Sequence, residues 1–370
     1  MAPDVLDRRA LNRATLARQL LLERSDTAPL DAVEHLVGLQ AQIPLNPYHA
    51  LWSRLDGFDP DAVGRLVLDR ALVRIVVMRG TIHLVTAGDA LVLRPLAQPV
   101  LDRELRNHRD HAPVLGPLDL GPVVEFGREL FAEPRTIPQA RAAMAERFPG
   151  VEPGALVFAC RNHLALIQVP PRGVWGRAAQ VTLATAEGWL GRSPEVRPSV
   201  DEVVLRYLGA FGPALVADAA AWSGLQAMRE VFDRLRPGLR TFADERGREL
   251  FDLPEAPRPD ADVPAPVRFL PEYDNVLLSH ADRSRFGGDE HVRSLWQRRT
   301  MGGSVLHDGE VRAAWVIVRD RDAGAATMEV HHTGMAKRAA AAVAAEGRRA
   351  LRFLEPNASD HDVRLVVASG

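Results

Sequence analysis

Apolar positions along this chain follow two periods in turn, and the order of the periods repeats. Leu11, Ala14, Leu20 and Leu21 mark an amphipathic helix near the N-terminus, and a second helical stripe starts near Pro29 with Leu30, Val33, Leu36 and Val37 on one side. Asn46-Pro47 reads as an N-cap followed by proline at the first helical position, opening a third helix through Trp52 and Leu55. Asp59-Pro60 opens a fourth in the same way. The pattern then becomes strand-like, with a pair at 72–78 and 81–85 and Arg79-Gly80 between them.

That succession of helices and a strand pair with Arg-Gly near its turn occurs twice more. The second has helices near 123–132, 137–148 and 153–163, then strands at 164–169 and 180–183 around Pro171-Arg172-Gly173. The third has helices near 200–211, 214–222 and 225–235, then a hairpin of 239–242 and 249–253 around Arg246-Gly247. Helices followed by a two-stranded hairpin describe a winged helix-turn-helix unit. A Pro-rich segment at 254–266 reads as a linker. Beyond it strands dominate, at 267–270, 275–278, 303–306, 313–318, 327–331 and 363–367, with one alanine-rich helix at 336–349. The expected fold is α+β: three tandem winged helix-turn-helix units (1–95, 96–195 and 196–258) and a C-terminal small β-barrel or curved sheet with a docked helix (259–370).

Composition narrows the class. With 46% hydrophobic and 25% charged residues, the chain has the balance of a folded globular protein. Its 370 residues suggest two to three units at about 150 residues each. No apolar run reaches the roughly 18–20 residues of a bilayer span, and Met1-Ala2-Pro3-Asp4 enters a charged helical pattern without a signal-peptide core. A cytoplasmic protein with no membrane contact is expected. The single cysteine, Cys160, excludes an internal disulfide and a multi-thiolate zinc site.

Charge adds a second constraint. The formal net charge of −2 announces no global basic field, yet Lys337 is the only lysine among 46 basic residues. The other 45 are arginines, whose planar forks grip phosphate in pairs of hydrogen bonds. Genomic base composition is the plainer source of the same bias. Schiff-base chemistry would have only Lys337 or the N-terminal amine available as its nucleophile.

Standard catalytic motifs are missing. There is no Gly-rich phosphate loop, no dinucleotide fingerprint and no His-Glu-x-x-His. His108 with His111, and His331 with His332, have no clustered third ligand, so no metal and no cofactor is expected. Leu39-Gln40-Ala41-Gln42-Ile43-Pro44 is more informative. Pro44 biases Ile43 away from helical geometry, so the helix from Pro29 should end around Gln40. In extended backbone Gln40 and Gln42 would project to one side. Capping and loop hydrogen bonding is the plainer use of two glutamines.

The residues around that segment resemble a known family. Leu36-Val37-Gly38-Leu39-Gln40-Ala41-Gln42, then Ala50-Leu51-Trp52-Ser53-Arg54-Leu55 and Met78-Arg79-Gly80-Thr81-Ile82-His83-Leu84-Val85, are similar to the AlkZ/YcaQ winged-helix DNA glycosylases. So are Phe211-Gly212-Pro213-Ala214 with Asp218, Trp222-Ser223-Gly224-Leu225, and Leu270-Pro271-Glu272-Tyr273-Asp274-Asn275 with His280 and Asp282-Arg283. The resemblance spans nearly the whole chain. It implies three winged helices around a concave basic channel, and a catalytic Gln-x-Gln motif, here Gln40 and Gln42, of the AlkZ-like branch. That branch is associated with self-resistance to DNA-alkylating natural products.

The implied activity is a monofunctional, cofactor-free glycosylase hydrolysing bulky N7-alkylated purines, with interstrand crosslinks as a further substrate. A noncatalytic winged-helix regulator or damage sensor is the alternative. Double-stranded alkylated DNA is the implied partner, and a monomer without obligate protein partner is expected. Asn46, His49, Arg54, Arg79, Thr81 and His83 flank the motif or lie on the wing and are candidate DNA contacts, with Arg54 and Arg79 as phosphate clamps. His332 and Thr333 are further candidates should 331–334 form a hairpin tip, against a plain strand-to-helix turn. Asp274 reads as a hydrogen-bonded turn residue, and Trp52, Trp222 and Trp315 as core.

Overall fold

The computed structural model describes residues 4–287, 302–320 and 322–367. Met1, Ala2 and Pro3, read above for a missing signal segment, lie outside the described residues. The architecture is mixed α+β, with three sheets among the described residues. None of the described helices is long and apolar enough to cross a membrane.

The first helix, Arg8–Arg18, is capped by Asp7, whose carboxylate accepts from Ala10 N at 2.7 Å. Its spacing predicted one apolar stripe, but its polar face is buried too: Asn12, Arg13, Thr15 and Arg18 are all nearly inaccessible. Each has a distant partner. Arg18 donates to both oxygens of Asp252 at 2.6 and 2.9 Å, and Asn12 Nδ2 donates to the carbonyls of Arg285 and Gly309 at 2.8 Å each. Arg9 and Arg13 pair with Asp308 and donate to Ala261 O and Val263 O. The Pro-rich segment is therefore pinned along this helix and does not hang as a free linker. Leu20 and Leu21 lie beyond the helix end.

The second helix, Pro29–His35, stops earlier than Pro44 alone would require. Val37 and Gly38 both take left-handed backbone, φ 54° and 89°, and swing the chain into the short strand Leu39–Gln40. A side chain at Gly38 would meet Val85 Cγ1 at 2.6 Å, so glycine is required there for close approach as well as for its φ. Asn46 is not the cap of the next helix. It is the first helical residue of Asn46–Arg54, and its side chain donates to Glu272 O at 2.7 Å. Asp59 does cap Pro60–Leu68 as expected, accepting from Asp61 N at 2.9 Å.

The hairpin strands fall within a few residues of their expected places, but their assembly differs. Strands Leu72–Val76 and Ile82–Thr86 of the first hairpin and Leu166–Gln168 and Thr182–Thr185 of the second join one sheet. The Ile75–Ile167 pairing fuses them. Leu39–Gln40 forms one edge of this six-stranded sheet and Arg135–Thr136 the other. The third hairpin, Arg240–Asp244 and Glu249–Asp252, gains the parallel strand Val5–Leu6 from the N-terminus. Helices Ala87–Leu96 and Gln98–Asn107, absent from the sequence reading, connect the first two stretches.

The C-terminal sheet runs Arg268–Pro271, Gly303–His307, Glu310–Asp320, Ala325–His332, Asp360–Val367. Its first and last strands do not pair with each other, so among the described residues it is open and does not close as a barrel. The last strand is parallel to its neighbour, and helix Lys337–Leu354 makes that crossover, burying Val343, Gly347, Ala350 and Leu351. The strand expected at 275–278 is instead a 3₁₀ turn, Asn275–Leu277. Asp274 accepts from Val276 N at 3.1 Å and Tyr273 is left-handed at φ 63°, a local turn that overrides the apolar alternation.

The largest core gathers Val73, Ile75 and Val85 of the first hairpin with Tyr207, Phe211, Trp222 and Phe251 of the third stretch. Trp222 and Trp315 are buried, whereas Trp52 is half-buried and stacks on Phe353.

Candidate active site

The two glutamines of Gln40-Ala41-Gln42 occupy unlike environments. Gln40 ends the edge strand opposite His83 and is 9% exposed, while Gln42 begins the bend that leads to helix Asn46–Arg54 and is exposed. The strand ends at Gln40, so the alternation that would aim both side chains alike is not maintained by a ladder. No hydrogen bond joins the two side chains, and the Gln42 amide has no hydrogen-bond partner among the described residues.

The backbone leading to Gln42 is held at Gly38, Gln40 and Ala41. Asn275 accepts from Gln40 N at 3.1 Å and donates to Gly38 O at 2.7 Å, clamping the strand from the outside. Ala41 N donates to Ile82 O at 2.7 Å, and Arg74 Nη2 donates to Ala41 O at 2.8 Å. Asn275 and Arg74 are each 2% exposed. Neither residue was singled out as a site residue from the sequence; Asp274 was read as a turn residue, but Asn275 was assigned to the strand that follows. Asn275→Ala would strand one buried donor and one buried acceptor, so urea unfolding should show a loss of about 1–3 kcal/mol.

Gln40 Oε1 accepts from Arg79 Nη2 at 2.8 Å. Arg79 sits at the hairpin turn in left-handed backbone, φ 57°, and also donates through Nη1 to Trp222 O at 2.7 Å. Its Nη2 lies 3.5 Å from His83 Nε2, and His83 Nδ1 lies 3.0 Å from Thr81 O. Burial, reinforced by the Arg79 charge, pushes the fully buried His83 down to about 3. Burial and then the charge of Arg283 lower Arg79 to about 10. His83 is thus neutral and Arg79 charged across the physiological range.

Most of the expected DNA contacts face inward. Arg54 is fully buried and donates to both oxygens of Asp274 at 2.8 and 2.7 Å, so it is not placed as a phosphate clamp. Asp274 is thereby a buried structural residue. His49 is buried between Trp52 and Trp315, and burial pushes it down to about 3. Arg79 and His83 form the internal network above, and Thr81 Oγ1 donates to Met78 O at 3.1 Å. Asn46 is half-buried against Glu272 O. His332 is buried within its strand, and Thr333 is exposed where that strand turns toward helix Lys337–Leu354, a connection and not a hairpin tip. His108 and His111 stack on each other at 4.4 Å beside Phe158. Among the described residues no three His, Cys, Asp or Glu side chains gather as a metal site would need.

The fold and the motif together point to the DNA glycosylases, and comparison with known proteins makes this specific. The family described as DNA glycosylase AlkZ-like matches residues 33–353, so this chain belongs to the AlkZ-like family. It is 28% identical over 332 residues to an interstrand DNA cross-link repair glycosylase of Streptomyces sahachiroi, covering 82% of this chain and 86% of that protein. It is also similar to the solved structure of Streptomyces sahachiroi DNA glycosylase AlkZ. The TM-score is 0.77 at 22% identity, over 98% of this chain and all of that one, which establishes a shared fold.

Proposed function

We propose that this protein is a monofunctional DNA glycosylase that hydrolyses the N-glycosidic bond of bulky N7-alkylated purines, interstrand crosslinks included. It would act as a cytoplasmic monomer on double-stranded DNA and leave an abasic site. In this reading the three helix-and-hairpin stretches (1–95, 96–195 and 196–258) are winged helices lining the DNA, and 259–370 is a C-terminal unit bracing the motif. The carrying observation is the exposed, unbonded Gln42 amide standing directly after a backbone segment held at Gly38, Gln40 and Ala41.

Two amides suffice because of the substrate. A glutamine cannot take up a proton at neutral pH, so it is a poor general base. Alkylation at N7 leaves a fixed positive charge on guanine, and such a base departs without being protonated. Water oxygen bonds to the anomeric carbon, the C1′–N9 pair leaves with the base and neutralises it, and the water's proton passes to solvent. Holding water in line is a matter of placement, which can supply up to about 7–11 kcal/mol in well-oriented reactions. The Gln42 oxygen orients that water and turns its dipole toward the developing oxocarbenium charge. Gln40 contacts the nucleotide.

The pH profile tests the absence of acid–base catalysis. His83, at about 3, stays neutral and Arg79, at about 10, stays charged from roughly pH 5 to 8. Single-turnover base release should therefore be level across that interval. A unit slope with a midpoint inside it, beyond any titration of the substrate's own N1–H, would require a titrating catalyst and contradict the scheme.

The direct test is heat-free detection of released base from DNA carrying N7-methylguanine, a bulky monoadduct or a crosslink. Release identifies the enzyme and orders its substrates. Tight adduct binding with no free base would make the protein a damage sensor, and selective binding to undamaged sequence would make it a regulator.

A further inference from the structure

We infer that Arg79 is a positioning residue that fixes which end of the Gln40 amide meets the substrate, so that Gln40 acts as a hydrogen-bond donor. This rests on the proposed glycosylase reading and divides the labour of the two glutamines.

The argument follows from donors and acceptors. A guanidinium has five N–H groups and no acceptor. Facing Arg79 are the Trp222 carbonyl, Gln40 Oε1 and His83 Nε2. His83 Nδ1 lies against the Thr81 carbonyl, which can only accept, so that nitrogen bears the proton and Nε2 of the neutral ring is an acceptor. Each of these three hydrogen-bonding neighbours of the Arg79 fork thus receives a hydrogen; Arg283 acts on Arg79 through its charge and offers no acceptor. Turning the Gln40 amide over would set its NH₂ against the Arg79 N–H groups, a donor–donor clash in a nearly closed site. The orientation of this amide, ordinarily ambiguous, is dictated by chemistry. Among the described residues Arg79 pairs with no carboxylate, and of the two acceptors that face its Nη2 Gln40 Oε1 at 2.8 Å is much nearer than His83 Nε2 at 3.5 Å.

Gln40 Nε2 is then the end left over, with two N–H groups and no partner among the described residues. In the proposed reaction the electron pair of C1′–N9 flows into the purine, so its acceptor atoms, O6 and N3, become richer in charge as the bond breaks. A donor aimed at one of them binds more strongly in the transition state than in the ground state. Gln40 holds the leaving base and Gln42 the attacking water. The two amides of the motif use opposite ends.

Single-turnover release of N7-methylguanine by wild type, Gln40→Glu, Arg79→Ala and Arg79→Lys tests this, with DNA affinity measured beside each rate. Gln40→Glu keeps an oxygen for Arg79 but has no N–H to offer, and should lose about 10²-fold or more in rate. Arg79→Ala should lose about 10- to 100-fold in rate at saturating DNA with little change in affinity. Arg79→Lys, which still donates to Gln40, should recover part of that loss. Full activity of Gln40→Glu would overturn the donor role. An Arg79→Ala defect confined to affinity and salt dependence would make Arg79 a phosphate contact and overturn the positioning role. Wild type that releases no base would sink the glycosylase reading itself, and this assignment with it.

Discussion

Gln42→Ala is expected to lower the rate of N7-alkylguanine release by about 10²- to 10³-fold, the usual effect of deleting one preorganised dipole. The same substitution should leave the melting temperature and DNA affinity near those of wild type. The contrast follows from position: Gln42 is exposed and makes no hydrogen bond among the described residues, so its loss removes nothing from the fold. Gln40→Ala should also be slow, but with a measurable loss of stability, because Arg79 loses an acceptor in a nearly closed site. Undiminished release by both variants would remove the motif from the mechanism.

Arg54→Ala is expected to destabilise the protein by about 3–5 kcal/mol, the range for removing one partner of a buried ion pair. Both side chains of the Arg54–Asp274 pair are fully buried, and Arg54 also donates to Ala50 O at 3.0 Å and Gln19 Oε1 at 3.3 Å. Deleting the guanidinium leaves the Asp274 carboxylate uncompensated. It also frees the turn that carries Asn275, the clamp on Gln40 N and Gly38 O. Arg54→Lys should not restore stability, since one ammonium cannot reproduce two parallel bonds. Arg54→Met combined with Asp274→Leu should recover much of it by removing both charges at once. Urea unfolding distinguishes this structural role from phosphate binding. A variant that unfolds like wild type but binds DNA weakly would contradict it.

The same residue shows where reading a sequence stops. Arg54 ends a short amphipathic helix and looks like a surface charge because its partner lies 220 positions away. Arg18 and Asp252 repeat the case across 234 positions, which is why the first helix seems to have a solvent face that the fold buries. Local signals fared better. Helices Pro153–His163 and Val200–Phe211 begin and end where proline, capping and periodicity place them, and the Asp59 cap forms as expected. Hairpins are equally local, whereas the Ile75–Ile167 pairing that fuses two of them is not written in either segment.

For the site, the break before Pro44 was legible but its place was not: the helix ends at His35 and Gln40 lies in the strand Leu39–Gln40, while family membership follows from residues spread along nearly the whole chain. The inward turn of Arg79 was not legible, because an arginine at a hairpin tip ordinarily faces water. Its partners Gln40 and Trp222 come from other elements, and its φ of 57° redirects the side chain.

The central claim is that base release depends on charge already present in the lesion, and one comparison tests it most directly. DNA of a single sequence is prepared with N7-methylguanine and with 7-methyl-7-deazaguanine, which has the same outline but no charge. The account predicts enzyme-dependent release of the first, and binding without release of the second. Comparable release of both would require an acid that protonates the departing base, and two glutamines cannot supply one.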